Sequence, residues 1–274
     1  MAQSQQPMRV PDLRAKKSRG EKIAMLTAYN AWMARILSET SAVDLLLVGD
    51  SLGMIELGYD TTVPVTTADV ARHSRAVRAG APHALIVADM PFLSHQVSAA
   101  RALRNAGRLI QEGRATAVKI EGGSAAASTV ARIVQAGIPV MGHLGLQPQH
   151  VHAQGGFRRQ AKRPEEQQQL LKDAQALEEA GVFAIVLECI PDEAARAVTQ
   201  ALRVPTIGIG SGPHCDGQVL VTHDILGLSG AITPAFVKQY ASLGEAIATA
   251  VRQFSEEVRS GEFPKSSARR ASHA

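Results

Sequence analysis

The stretch DLLLVGDSLG, residues 44–53, decides the fold. Its apolar half predicts a buried strand, because parallel strands that are covered on both faces are nearly continuous in apolar residues. The strand runs into an acid, Asp50, which is followed by a hydroxyl group and a second glycine. An acid at the end of a buried strand needs a partner, since an unpaired buried charge is costly. A buried strand that ends in an acid is the unit from which the rest of the chain is predicted to be built.

The same unit recurs along the chain. Four further apolar runs, at 84–89, 117–121, 139–143 and 182–188, end in Asp89, Glu121, His143 and Glu188. Runs at 23–28, 205–210 and 218–222 bring the number of predicted strands to eight, with helical segments between them. Strands that alternate with helices predict a parallel sheet, and eight strands are the number that closes a (β/α)8 TIM barrel. A doubly wound open sheet remains the alternative, because periodicity alone does not show closure.

Length and composition favour one domain. A barrel of this kind typically needs about 250 residues, and the chain has 274, of which 45% are hydrophobic and 20% charged. We predict an α/β fold with a single (β/α)8 barrel domain over residues 21–262 and with extra N- and C-terminal helical segments. Residues 1–20 are predicted to be a flexible N-terminal segment, and residues 263–274 a flexible basic tail.

Charge and cysteine content exclude several classes of protein. Much of the net charge of +4 lies near the two ends, and aromatic residues are only 4% of the chain. We therefore expect no nucleic-acid partner, and no apolar run is long enough to predict a membrane span. Two cysteines do not make a disulfide framework and are typical of a reducing compartment. The basic first residues are similar to a transit peptide, but Asp12 and the lack of an apolar stripe favour the cytoplasm.

The strand-end side chains predict a metal site. In a (β/α)8 barrel the active site lies at the C-terminal ends of the strands, so the four acids and the histidine would meet there. Crowded carboxylates need a cation or strongly raised pKa values, and oxygen-rich sites suit Mg²⁺. Lys119 lies two residues before Glu121 and therefore points to the same side of its strand, where it would anchor an anionic substrate.

Each of these residues also has an ordinary structural explanation. A single Asp after a strand is most often a helix cap or a turn former, and His143 alone could be a core histidine. The recurrence at successive strand ends is what favours a functional site. Cys189 is predicted to face the helices as a packing residue, since no His–Asp arrangement supports a nucleophile, and the glycine-rich stretch 208–212 is only a weak signal of a phosphate site.

In their order and sequence, the motifs resemble those of the ketopantoate hydroxymethyltransferase family. The resemblance covers roughly residues 22–262. The matching segments are LTAY (26–29), VGDSLGM (48–54), ADMPF (88–92), VKIEGG (118–123), GHLGL (142–146) with Pro148 and Gln149, LECIP (187–191), IGIG (207–210) and DGQVLV (216–221).

The resemblance implies a barrel of the phosphoenolpyruvate/pyruvate superfamily and a defined reaction. A hydroxymethyl group would pass from 5,10-methylenetetrahydrofolate to 3-methyl-2-oxobutanoate, giving 2-dehydropantoate in pantothenate and coenzyme A biosynthesis. It implies Mg²⁺ held by Asp50, Asp89 and Glu121, and Glu188 as the general base. The implied oxo-acid contacts are Asp50, Ser51, Asp89, Lys119 and His143. It also implies a cytoplasmic homodecamer built from five dimers.

Two features of the sequence depart from the family pattern. Asn30 stands where the family usually has Asp, and residues 157–162 read FRRQAK in place of a segment with Tyr and Gln-Gly. Two other functions are alternatives to this reaction. A Mg²⁺-dependent lyase or phosphonomutase of the same superfamily would carry a cysteine in a K-[KR]-C-G-H-like motif, which this chain lacks. A non-enzymatic scaffold would be favoured by a lost acid at the strand ends, and all the acids are present.

Overall fold

The barrel predicted from the sequence is present and closed. The computed structural model describes residues 7–229 and 234–265. Its parallel strands pair in sequence order, and the last pairs with the first. They are β1 (Ile23–Thr27), β2 (Leu45–Val48), β3 (Leu85–Asp89), β4 (Ala117–Glu121), β5 (Val140–Gly145), β6 (Ala184–Glu188), β7 (Thr206–Ile209) and β8 (Gly217–Leu220). Closure rules out the open-sheet alternative.

Helices separate the strands as the sequence predicted, except that β7 and β8 follow each other without a helix between them. They are α1 (Val10–Ser18), α2 (Ala31–Glu39), α3 (Leu52–Ile55), α4 (Thr67–Gly80), α5 (Ala99–Gln111), α6 (Ala127–Gln135), α7 (Val151–Gln154), α8 (Pro164–Glu179), α9 (Asp192–Ala201), α10 (Thr222–Ile225) and α11 (Leu243–Ser260). Two 3-10 turns, Ser124–Ala126 and Pro148–His150, precede α6 and α7. The start of α4 shows how local sequence sets these bounds, since Thr66 and Asp69 form a reciprocal capping box.

The described chain forms two compact units, one ending at Val221 and the other beginning at Thr222. The first contains the whole barrel. In the second, the backbone N–H groups of Tyr240 and Leu243 bond the carbonyls of Ile225 and Leu226, so that the start of α11 is tied to the end of α10. The single domain over residues 21–262 therefore stays a prediction, and most of the predicted tail, 263–274, lies outside the described residues.

The barrel interior is filled by apolar side chains from all eight strands. Two methionines, Met25 and Met141, and branched residues such as Leu47 and Val87 form one buried cluster. Leu13 of α1 belongs to the same cluster and is fully buried. The cluster packs the barrel solidly, so polar chemistry is confined to the strand ends.

Helix α1 is the N-terminal helical segment that the sequence predicted, and it occupies residues 10–18, while the flexible segment over residues 1–20 stays a prediction. Lys16 Nζ lies 2.6 Å from Asp44 Oδ1, and Lys17 Nζ lies 3.0 Å from Asp216 Oδ2. Both acids directly precede a strand, β2 and β8, so α1 covers the N-terminal end of the barrel. The order of this helix depends on contacts with distant residues, which the sequence around it does not reveal.

Candidate active site

Strand register brings four of the predicted side chains together. Strand β3 pairs Asp89 with Lys119 of β4, and β4 pairs Glu121 with His143 of β5. Residues two apart on a strand share a face, and those two positions before these, such as Val87 and Met141, lie in the interior cluster. The four polar side chains therefore lie inside the barrel at its C-terminal end, and all are buried.

Asp50 and Glu188 complete the group from two other strands. Asp50 follows β2 by two residues, is buried, and donates its backbone N–H to Asp89 Oδ2 at 3.0 Å. Glu188 ends β6, and its Oε2 lies 3.1 Å from His143 Nε2. Its side chain is 16% exposed, against 3% or less for Asp89 and Glu121. Glu188 is thus the acid most open to an incoming ligand.

Lys119 lies between an acid and the histidine. Its Nζ is 2.7 Å from Asp89 Oδ1 and 3.1 Å from His143 Nδ1. Burial alone would lower the pKa of Lys119, but the carboxylates of Asp89, Glu121 and Asp50 outweigh burial and raise that pKa. Lys119 is therefore a fixed positive charge at the base of the site.

His143 links the lysine to the exposed acid. Burial and the nearby Lys119 lower its pKa, but hydrogen bonds to Glu121 and Glu188 overcome them and raise the pKa of His143 to about 9. When protonated, the ring faces one carboxylate with each nitrogen, at 3.5 Å and 3.1 Å. Nδ1 also lies 3.1 Å from Lys119 Nζ, from which the neutral ring can accept a hydrogen bond. His143 is therefore held between the lysine and two carboxylates.

The buried acids carry more negative charge than the site balances. Burial and the neighbouring Asp89 and Glu121 raise the pKa of Asp50 well above its usual range. Burial also raises the pKa of Asp89, although Lys119 opposes it. The pKa of Glu121 is lowered instead, because hydrogen bonding to His143 and the charge of Lys119 outweigh its burial. Repulsion among the carboxylates would be relieved by a cation.

The donor set fits a hard cation. Glu121 Oε1 is buried without a hydrogen-bond partner, and the three acids offer only oxygen donors. Within residues 7–229 and 234–265, no three His, Cys, Asp or Glu side chains form a ready metal cage. Mg²⁺ does not need one, because it usually takes one or two carboxylates and completes its shell with water and substrate oxygens.

Ser51 lies beside this group but has a protein partner. It occupies the N-cap position of α3 without capping the helix, and its Oγ lies 2.7 Å from Tyr29 Oη. A Cβ atom at Gly49 would come within 2.8 Å of Ser51 Oγ and 3.4 Å of Asp89 Oδ2. Gly49 thus leaves the room in which the serine and the acid lie together. The predicted contact of Ser51 with the oxo acid stays a prediction.

Sequence reasoning assigned no role to two residues that contact the site. His95 Nε2 lies 3.0 Å from the carbonyl oxygen of Glu121, and burial lowers the pKa of His95, which favours the neutral ring. Gln149 is buried and bonds both Asp50 and Glu121. Gln149 appeared only as part of a family motif. No residue pattern near Gln149 signals the contact, because the segment that carries it is irregular.

The segment after β5 reaches both halves of the site. It begins with the 3-10 turn that contains Gln149 and continues through α7. Its far end is fixed beside the exposed acid, since Gln160 N–H donates to the carbonyl of Cys189 at 2.9 Å and Arg159 Nη2 donates to the carbonyl of Ile190 at 3.0 Å. The part of the sequence that departs from the family pattern therefore lies next to Glu188.

Cys189 itself has an unusual backbone and a poorly reactive thiol. Its φ is 49°, in the left-handed region, and its side chain is half-buried. Burial and the adjacent Glu188 raise the pKa of Cys189 to about 11. A thiol with that pKa is protonated at neutral pH, which agrees with the prediction that it is not a nucleophile.

Comparison with known proteins decides the family. The sequence model described as Ketopantoate hydroxymethyltransferase matches residues 7–266. The chain belongs to the ketopantoate hydroxymethyltransferase family. A 3-methyl-2-oxobutanoate hydroxymethyltransferase of Moorella thermoacetica is 56% identical over 255 residues, covering 93% of this chain and 94% of the relative. One of Syntrophus aciditrophicus is 53% identical over 252 residues, covering 92% of each. The resemblance inferred from the motifs is confirmed, and family membership means an enzyme of one-carbon transfer that acts on small molecules.

Solved structures confirm the fold. A phosphonopyruvate hydrolase in complex with oxalate and Mg²⁺ superposes with a TM-score of 0.61 at 16% identity, covering 93% of this chain and 88% of the other. A 2,3-dimethylmalate lyase gives 0.60 at 16% identity, covering 96% and 91%. At such identities the likeness shows the barrel alone. Every helix in residues 7–229 and 234–265 is too short or too polar to cross a bilayer.

Proposed function

We propose that this protein transfers a hydroxymethyl group from 5,10-methylenetetrahydrofolate to 3-methyl-2-oxobutanoate, giving 2-dehydropantoate for pantothenate and coenzyme A biosynthesis. One observation carries the proposal in a member of this family. A partly exposed carboxylate, Glu188, lies 3.1 Å from a buried histidine, and three buried acids and a lysine lie on or just after the neighbouring strands. The pairing offers a base on one side of the site and a place for a charged oxo acid on the other.

Asp50, Asp89 and Glu121 would hold Mg²⁺. Their repulsion, together with the unpartnered Glu121 Oε1, is what makes a cation fit there. When bound, Mg²⁺ supplies Lewis-acid polarisation of the substrate keto group. The other partners of these acids, Lys119 and His143, are cationic or can become so, and they limit the charge that the metal has to balance.

Lys119 and His143 would receive the substrate carboxylate, with Ser51 and Asp89 beside it. The ammonium of Lys119 is fixed by Asp89 and offsets negative charge that develops on the oxo acid. Ser51 Oγ is 2.7 Å from Tyr29 Oη, so one hydroxyl of the pair can donate onward to a ligand. The substrate-binding residues in this proposal are thus Asp50, Ser51, Asp89, Lys119 and His143.

Glu188 would act as the general base. It takes the proton from C3 of the oxo acid, and the electron pair left on C3 forms the new bond to the one-carbon unit of the folate. Both bonds from that carbon to the folate nitrogens break, and water supplies the hydroxyl group. The two nitrogens take up the proton removed from C3 and the second proton of the water, which leaves tetrahydrofolate. His143 Nε2, 3.1 Å from Glu188 Oε2, orients the base and stabilises its charged form before it accepts the proton.

The proposal extends to location and assembly. We place the protein in the cytoplasm as a homodecamer of five dimers, as the family resemblance implies. A chain of 29.0 kDa would then give a particle of about 290 kDa, which light scattering measures directly.

Deuterium exchange at C3 of 3-methyl-2-oxobutanoate tests the chemistry. We expect the protein to exchange this hydrogen with solvent when Mg²⁺ is present and folate is absent, because proton removal precedes one-carbon transfer. Exchange is followed by NMR with and without Mg²⁺ and with and without 5,10-methylenetetrahydrofolate. If no condition gives exchange or 2-dehydropantoate, the scaffold hypothesis replaces the enzyme.

A further inference from the structure

Gln149 contacts two of the three buried acids of the site. Its side-chain Nε2 donates to Asp50 Oδ2 at 2.9 Å and to the carbonyl of Met90 at 3.0 Å. Its backbone N–H donates to Glu121 Oε2 at 3.2 Å. One residue therefore holds one oxygen of each of two acids that come from different strands, and only 3% of its surface is exposed.

The orientation of the carboxamide is fixed by its surroundings. A carboxylate and a carbonyl only accept hydrogen bonds, so the amide nitrogen has to face Asp50 and Met90. On the other side, Gln149 Oε1 is 3.5 Å from Nε2 of Gln96. Both hydrogens of the Gln149 amide are thus donated to acceptors of the site. If the amide were rotated by half a turn, its oxygen would face the oxygens of Asp50 and Met90, which would be repulsive.

These bonds act on the acids that repel each other. Asp50 and Glu121 are both buried, so their oxygens need hydrogen-bond donors from the protein. A neutral donor satisfies a carboxylate oxygen without adding a positive charge that would compete with a cation. Gln149 binds Glu121 through Oε2, so Oε1, which lies 3.5 Å from His143 Nδ1 and has no hydrogen bond, is the oxygen left for a cation.

We propose that Gln149 is a positioning residue, which orients the carboxylates of Asp50 and Glu121 for a divalent cation and so couples the segment after β5 to the metal site. The inference rests on the proposed function, since it takes the three acids as the cation site. Residues that orient metal ligands typically change metal affinity by about 10- to 100-fold when they are replaced.

The test uses the full-length protein and Mn²⁺ as the probe, with binding followed by electron paramagnetic resonance in the absence of substrate. Gln149→Met keeps the length of the side chain and removes its donors. Gln147→Ala is the matched control, because it lies two residues away in the same turn and makes no capping hydrogen bond with its side chain. Thermal unfolding without metal reports whether either variant is folded.

We expect Gln149→Met to bind Mn²⁺ about 10-fold more weakly than the wild type and Gln147→Ala to bind it normally. In the complete reaction, the metal concentration needed for half-maximal rate should rise by a similar factor, and most of kcat should return at saturating metal. A low kcat at every metal concentration, with normal Mn²⁺ binding, would mean that Gln149 only supports the fold and would overturn the inference. Wild-type protein that binds no Mn²⁺ would instead overturn the proposed metal site.

If Gln149→Met fails to fold, Gln96→Ala gives a second test. It removes the amide that faces Gln149 Oε1 and leaves every bond to the acids in place. We expect a smaller loss of Mn²⁺ affinity, about twofold to fivefold, because the carboxamide keeps its donors but loses part of its restraint. Unchanged affinity in Gln96→Ala would contradict a role for amide orientation.

Discussion

The two ends of the barrel treat charge differently. At the N-terminal end, Lys16 pairs with Asp44 and Lys17 with Asp216, one base to one acid, with each side chain about 14–17% exposed. At the C-terminal end, one lysine and one histidine face four carboxylates, and of these only the Glu188 side chain is more than slightly exposed.

Balance at one end and imbalance at the other indicate different roles. At the N-terminal end, the two ion pairs and their additional hydrogen bonds stabilise α1 against the barrel. Each charge of these pairs is balanced by its partner and is not left to bind a ligand. An excess of buried acid raises the pKa of Asp50 and costs stability unless a cation enters. Mutations at the N-terminal end should therefore change the stability of the protein. Mutations at the C-terminal end should change its metal affinity and its reaction rate.

The largest effect is expected at Glu188. Glu188→Gln removes the base and should lower kcat by about 10²- to 10⁴-fold, while the oxo acid still binds with Mg²⁺ in calorimetry. Glu193→Gln, an exposed change on the neighbouring α9, is the control and should be normal. An active Glu188→Gln enzyme would show that the base is another group.

Asp89 and Asp216 provide a matched pair from the two ends. Each forms an ion pair with a lysine and accepts a hydrogen bond from a backbone N–H. Asp89→Asn should weaken Mg²⁺ binding by about 10-fold or more, because a carboxylate ligand is lost, whereas Asp216→Asn should leave it unchanged. Calorimetry with Mg²⁺ and oxo acid measures both. Equal metal affinity in the two variants would contradict the proposal that only the C-terminal end of the barrel binds metal.

Lys17 tests whether the N-terminal end of the barrel contributes to stability and not to activity. Its Nζ also donates to the carbonyls of Thr199 and Val204, at 2.9 and 3.0 Å. Lys17→Met should lower the free energy of unfolding by about 1–3 kcal/mol, between the values for exposed and buried pairs, and leave kcat unchanged. Urea unfolding gives the comparison with Arg163→Met, an exposed pair that should cost less than about 1 kcal/mol. A large loss of activity with normal stability would contradict the assignment.

The smallest effect is expected at Cys189. Because its pKa is raised to about 11 by burial and by Glu188, little thiolate is present at pH 8, and alkylation by iodoacetamide should be slow. Cys189→Ala should keep kcat within about twofold, since no step uses the sulfur and the backbone strain at φ 49° is similar for both residues. Rapid labelling coupled to loss of activity would place the thiol in the reaction.

The sequence predicted the strands well because burial on both faces leaves a direct mark. Strand β4 has the predicted bounds, 117–121, and its polar end follows from the alternation of Lys119 and Glu121. Strand β5 runs two residues beyond the predicted end at His143, because its ladder with β6 continues until Gly145 pairs with Glu188. That pairing is a tertiary contact that no local pattern encodes.

The contacts that the sequence did not predict are made with distant partners. Helix α1 is polar, and its burial comes from Leu13 and from two lysines whose acids lie far along the chain. Gln149 gains its contacts only when the segment after β5 lies against β2 and β4. In both cases the residue types are common ones that carry no signal in the sequence, and their roles become visible only through the residues they contact.

Lys17 has a consequence for the order in which the protein assembles. Its carbonyl partners lie 182 and 187 residues further along the chain. During synthesis from the N-terminus, α1 emerges first, yet its docking site is finished only when β8 has been made and has closed the ring against β1. Until then the hydrophobic bottom of the growing sheet is uncovered. We therefore expect the first helix to leave the ribosome to be among the last to dock.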